Sequence, residues 1–83
     1  MQLILYGHVG CCLCDRLAEM IEPHLVALRR RREVELSKRD IADNPAWRAA
    51  YRERIPVLTL GDRVILEGRP GPAEVADTFA RLA

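Results

Sequence analysis

The residues best suited to chemistry in this chain are its three cysteines, gathered in Gly10-Cys11-Cys12-Leu13-Cys14-Asp15. Cys11 and Cys14 form a C-x-x-C pair. The apolar run before them reads as a short strand, and the residues after them read as a helix. A C-x-x-C at a strand–helix junction is a redox motif. Positions three apart share one face of a helix, so the two sulfurs come within bonding reach. A helix start carries about half a positive charge and several unpaired N–H groups. A thiolate there is stabilised, and its pKa falls below the ~8.5 of a free thiol. Cys11, at the helix mouth, is expected to attack a disulfide. Cys14, one turn in and shielded by the strand beneath, is expected to resolve the mixed intermediate.

Two other readings compete. Buried structural cysteine is a common fate for the residue. Three thiols in four positions beside a glycine are a poor way to fill a core. A metal site is the other, with His8, Cys11, Cys12 and Cys14 as four N/S ligands. Structural zinc sites usually draw ligand pairs from separated stretches, and here the only other histidine is the isolated His24. No metal is therefore expected. His8, two residues past the first strand, is read either as support for a thiolate on Cys11 or as a solvated loop residue.

The elements that must position this motif follow in chain order. Leu3-Ile4-Leu5-Tyr6 is a continuous apolar run, suited to a central strand buried on both faces. From Cys12 the apolar positions Cys14, Leu17, Ala18, Ile21, Leu25 and Leu28 keep a helical period. Pro23 lies inside that run and is expected to kink or restart the helix. The run ends at Arg29-Arg30-Arg31-Arg32, read as a solvated helix end whose cations oppose the negative dipole. Val34-Glu35-Leu36 begins a second strand, reaching toward Asp40. Strand, helix, strand forms a βαβ unit, which makes the two strands parallel with a right-handed crossover. Asn44-Pro45 is a helix start, with Asn44 as cap, and the helix runs to about Tyr51. Trp47 and Tyr51, four apart, are expected to face the sheet together. Pro56 opens a third strand, where a missing ladder donor is tolerated. Gly61-Asp62 is a hairpin signal joining 57–60 to 63–66. After the turn at 68–72 comes a last amphipathic helix with Val75, Phe79 and Leu82 on its core face.

Length and composition bound the rest. Eighty-three residues with 49% hydrophobic content make a single domain, 1–83. Net charge is +1, which gives no reason to expect nucleic acid or acidic lipid as a partner. No stretch approaches the ~20 apolar residues of a membrane span. No basic segment followed by an apolar one opens the chain, so no signal peptide is expected. The expected location is the cytoplasm, where C-x-x-C is more often redox-active or metal-binding than a staple. A monomer is expected.

The order β-α-β-α-β-β-α, with C-x-x-C after the first strand and a proline before the third, resembles the thioredoxin fold: α/β, with a four-stranded mixed sheet flanked by helices. Within that superfamily the chain is similar to small glutaredoxin-like proteins, most of all a bacterial group carrying Gly-Cys-His-Leu-Cys-Asp. The resemblance spans roughly residues 2–82. It implies that Cys11 and Cys14 are catalytic in thiol–disulfide exchange. It also implies that Pro56 is cis, lies against the cysteines, and sets the Ile55 backbone to pair with a substrate's extended chain. His8 and Gly68 are the nearest equivalents of glutathione-contacting positions. The implied partners are a protein disulfide or a glutathione mixed disulfide, with no bound cofactor and glutathione as substrate or reductant. The chain departs from the pattern at Cys12-Leu13 between the cysteines, at the missing lysine near His8, and at Gly68-Arg69-Pro70-Gly71. Cys12 stands where the closest group has histidine, as a bystander or a second site for glutathionylation.

Overall fold

The computed structural model describes all 83 residues. In chain order they form β1 (Gln2–Gly7), α1 (Cys12–Arg29), β2 (Glu35–Asp40), a 3₁₀ turn (Ile41–Asp43), α2 (Pro45–Tyr51), β3 (Val57–Leu60), β4 (Arg63–Glu67) and α3 (Pro72–Leu82). The strands lie in the order β2-β1-β3-β4. β1 pairs with β2 in parallel and with β3 antiparallel, and β3–β4 is an antiparallel hairpin.

β1 occupies the middle of the sheet because its side chains serve both faces. Successive strand residues point to opposite sides. Leu3 and Leu5 join the larger core, formed with Leu17, Ile21, Leu25 and Leu28 of α1 and Val75, Phe79 and Leu82 of α3. Ile4 and Tyr6 join the smaller core with Ile41 and Val57, covered by Trp47 and Tyr51 of α2. The molecule is thus three layers, with α1 and α3 on one face and α2 on the other. Each fully buried Leu or Ile contributes about 1.5–3 kcal/mol of apolar transfer.

α1 runs unbroken through Pro23, where the sequence suggested a kink or restart. Pro23 and Glu19 are both exposed, so water can solvate the Glu19 carbonyl that proline cannot bond. Ile21 and Leu25, buried on either side, hold the helix onto the sheet. The arginine run is partly structural. Arg32 Nη1 donates to the Leu82 carbonyl at 3.0 Å, capping the end of α3, and Arg29 Nε donates to the Val34 carbonyl at 3.4 Å.

α2 begins as the sequence requires. The Asn44 side chain accepts from the Ala46 and Trp47 N–H groups at 2.8 and 3.3 Å, with Pro45 in the first turn. Trp47 and Tyr51 do face the sheet, packing edge-on and tilted against Tyr6 at centroid distances of 5.7 and 4.6 Å. The 3₁₀ turn was not foreseen; Asp40 caps it by accepting from the Ala42 N–H at 2.9 Å. The hairpin turn has positive φ at Gly61 alone (+59°), the sign pattern of a type II′ turn. β4 extends to Glu67 and carries one extra residue, since Thr59 pairs with Val64 but Leu58 with Leu66. No helix is long and apolar enough to cross a membrane.

Candidate active site

Cys11 is the N-cap of α1, with extended backbone (φ −81°, ψ 109°). Its sulfur accepts the Cys14 N–H at 3.3 Å, the contact a serine or aspartate makes in that position. Its carbonyl accepts the Asp15 N–H at 3.2 Å, and its own N–H donates to the His8 carbonyl at 3.1 Å. One sulfur thus sits against the free donors of a helix start, partly open to solvent.

Cys14 lies one turn further in and is only 8% exposed. Its thiol is pushed up to about 12, chiefly by burial; the hydrogen bond to Cys11 and the charges of Cys11 and Asp15 act in the same direction, and the His8 backbone amide acts against them. Cys12 is exposed, and all three cysteines are free thiols. No three His, Cys, Asp or Glu side chains converge on a point where a metal ion could be held.

The sheet sets what surrounds the pair. Gly7 is in register with Asp40 on β2. Tyr6 pairs with Val57, and Val57 with Glu67. One residue further along, Pro56 and Gly68 therefore come level with Gly7. Asp40, Gly7, Pro56 and Gly68 form a row across the end of the sheet from which the cysteine loop departs. The Gly68 N–H donates to the Pro56 carbonyl at 2.8 Å, and the Ile55–Pro56 peptide bond is cis. Gly68 has a positive φ (+72°) and stands beside Leu13, Arg16 and Arg69, on the far side of α1's first turn.

Two expected contacts take a different form. The His8 ring is paired with Asp40 and not with a cysteine sulfur: its Nδ1 lies 2.9 Å from Asp40 Oδ1. The His8 backbone, not its imidazole, meets the cysteines. The Ile55 N–H is already bonded within the chain, to the Tyr51 carbonyl at 3.0 Å. The Ile55 N–H is therefore engaged inside the chain, while no backbone hydrogen bond to the Ile55 carbonyl is formed.

Grooves of about 390 and 420 Å³ flank the His8–Asp40 pair. The first reaches Cys14 between α1 and β2, past Ala18 and Lys38. The second is lined by His8, Ile55, Arg48 and Arg52. Sequence reading missed Gly7, Asp40 and these two arginines. The Arg48/Arg52 spacing of four was the one available signal, since it puts both on one helix face.

The match with known proteins agrees with this geometry. The model of the Glutaredoxin-like domain (DUF836) matches residues 2–79. Among solved structures, the X-ray structure of XcR50 from X. campestris is 29% identical, covers 98% of this chain and 97% of its own, and superposes with a TM-score of 0.66. Protein Ne2328 from Nitrosomonas europaea, solved by NMR, is 24% identical over 92% of this chain and 87% of its own, with a TM-score of 0.63. Thioredoxin 1 from Thermosipho africanus is 17% identical over 99% and 93%, with a TM-score of 0.62, a likeness of fold alone. No curated protein matches the chain. The architecture is the thioredoxin fold. With its model covering all but the first residue and the last four, the chain belongs to the glutaredoxin-like domain family.

Proposed function

We propose that the protein is a thiol–disulfide oxidoreductase in which Cys11 attacks and Cys14 resolves. The observation that carries this is the Cys14 N–H donated to the Cys11 sulfur at a helix start, with the Cys14 thiol buried one turn behind. Donors at a helix N-terminus favour the negative sulfur. Cys11 thiolate attacks one sulfur of a substrate disulfide; a Cys11–substrate bond forms and the other substrate sulfur leaves. Cys14 then gives up its proton and attacks the Cys11 sulfur. This closes the Cys11–Cys14 disulfide and releases the second substrate thiol. Two electrons pass from the protein to the substrate, and an external thiol reductant restores the pair.

The substrate is a protein disulfide or a glutathione mixed disulfide, with glutathione as substrate or reductant. The groove beside Ile55 is lined by Arg48 and Arg52 together with Glu53, so it can meet a ligand bearing both carboxylate and ammonium groups. A reducing compartment such as the cytoplasm is where a C-x-x-C pair serves exchange rather than as a structural staple. The test is reductase activity on a glutathione mixed disulfide and on insulin, with Cys11→Ser and Cys14→Ser. Cys11→Ser is expected to abolish turnover, and Cys14→Ser to trap a mixed disulfide on Cys11. Wild-type turnover no faster than that of Cys11→Ser would overturn the proposal.

A further inference from the structure

The attacking sulfur belongs to the last residue of a tight turn. The Cys11 N–H donates to the His8 carbonyl at 3.1 Å, and Gly10 between them has a φ of +82°. His8-Val9-Gly10-Cys11 thus closes as a type II β-turn with Val9 at its first corner. The turn is anchored where it starts, by His8 Nδ1 lying 2.9 Å from Asp40 Oδ1. Val9 belongs to neither core cluster and is 83% exposed. Proline is common at that corner, so the turn itself does not call for valine. A lone exposed valine is ordinary on a protein surface, but this one stands two residues before the sulfur that reacts. It also lines the groove of about 390 Å³ that reaches Cys14 between α1 and β2. Leu5 and Ala18 supply further apolar lining there, while Lys38 and Asp43 bring charges of both signs. Val26, the other large apolar side chain left in water, is 47% exposed and lies mid-way along α1, outside the groove.

We propose that Val9 and the groove behind it select the substrate, by taking an apolar side chain that flanks the target cysteine of a protein disulfide. The inference rests on the oxidoreductase reading above and narrows its substrate to protein chains with a hydrophobic residue beside the reacting cysteine. Reach favours that occupant. An extended chain advances about 3.3–3.6 Å per residue, so a neighbour of the target cysteine meets Val9 while its sulfur meets Cys11. Solvation favours it too. Covering an exposed valine with hydrocarbon removes apolar surface of both partners from water, which a polar flank does not do. Charge does not compete with this effect. With both signs in the groove, neither an anion nor a cation is preferred, and apolar contact is left to discriminate. Glutathione, whose cysteine has only a γ-glutamyl and a glycyl neighbour, offers Val9 no hydrocarbon side chain to cover.

The experiment compares three mixed disulfides of nitrothiobenzoate on protein carrying Cys12→Ser. Two are short peptides, one with leucine and one with serine on both sides of the cysteine, and the third is glutathione. The Cys11 thiolate forms a bond to the peptide or glutathione sulfur. The bond from that sulfur to nitrothiobenzoate breaks, and the coloured thiolate leaves with the electron pair. The parent is expected to react with the leucine peptide about three- to tenfold faster than with the serine peptide, the size of burying part of one apolar side chain. Val9→Ser is expected to remove that preference by slowing the leucine peptide alone, with the serine peptide and the glutathione derivative unchanged. Val9→Leu is expected to keep it. A parent without the preference, a preference untouched by Val9→Ser or lost equally in Val9→Leu, or equal slowing of all three substrates would overturn the inference. Each of these leaves the oxidoreductase reading intact. Release of nitrothiobenzoate no faster than from a Cys11→Ser variant would overturn that reading, and this inference with it.

Discussion

A Cβ placed on Gly7 would stand 3.1 Å from the Cys14 sulfur and 3.2 Å from the Cys14 Cβ. The last residue of the central strand is thus the floor beneath the resolving thiol. Its lack of a side chain lets α1 approach the sheet closely at this point. That approach also shields Cys14 from water and places it behind Cys11.

The first prediction follows from this contact. Gly7→Ala crowds Cys14 and is expected to destabilise the fold by about 1–2 kcal/mol, since overpacking outweighs the entropy that alanine removes from the unfolded chain. Chemical denaturation measures it. In a double-mutant cycle with Cys14→Ala, most of the loss should disappear, because the atom being crowded is gone. A Gly7→Ala penalty that is the same in both backgrounds would place its cause elsewhere.

The second concerns pH. The Cys14 thiol is pushed up to about 12 in the native state, chiefly by burial, from a reference near 9.0. Between these values the unfolded chain releases this proton and the native chain keeps it. The native state then binds more protons, so stability falls as pH rises. The contribution is fully present below pH 9 and is lost progressively above it. Denaturation midpoints of wild type and Cys14→Ser should therefore run parallel below pH 9, with wild type declining more steeply from there to pH 10.5. Parallel curves throughout would show that the thiol titrates alike in both states.

A third tests the larger core. Ile21 is completely buried between α1 and the sheet, near the centre of the unbroken helix that contains Pro23. Ile21→Ala is expected to cost about 2–5 kcal/mol, combining lost transfer energy with the cavity left behind. In a domain this small that removes a large share of total stability, and the thermal midpoint should drop by about 8 °C or more, at roughly 4–8 °C per kcal/mol.

A fourth separates the two helical layers. Asn44→Ala removes the acceptor for two N–H groups of α2 and is expected to cost about 1 kcal/mol. Because Cys11 lies on α1 and Asn44 caps α2, exchange of Cys11 with a small uncharged disulfide, which does not use Arg48 or Arg52, should be unaffected. Asn44→Asp or Asn44→Ser should recover most of the loss, as measured by urea denaturation.

The local code carried much of this molecule. The continuous apolar run of β1, the helical period from Cys14 to Leu28, the Asn44-Pro45 start and the Gly61-Asp62 turn each act over a few residues. Each forms where its signal lies. Cys11 and Cys14 were legible for the same reason, since their spacing alone puts them on one turn. Pro23 misled because the consequence of a proline depends on which way the freed carbonyl faces. At an exposed position solvent takes that carbonyl, and buried neighbours keep the helix whole.

What the amino-acid order could determine by itself was therefore the set of elements and the pair of thiols at one helix start. Only the tertiary structure decided who stands next to that pair. His8 could reach toward Cys11 or away from it; the parallel pairing of β1 with β2 put Asp40 at its side, and a carboxylate holds an imidazole N–H where open solvent would not. Gly7, Pro56 and Gly68 are scattered over sixty residues and become one row through strand register, a long-range property that no local pattern encodes. The Ile55 N–H was claimed by Tyr51 for a like reason: once the chain turns between α2 and β3, the nearest free carbonyl takes it.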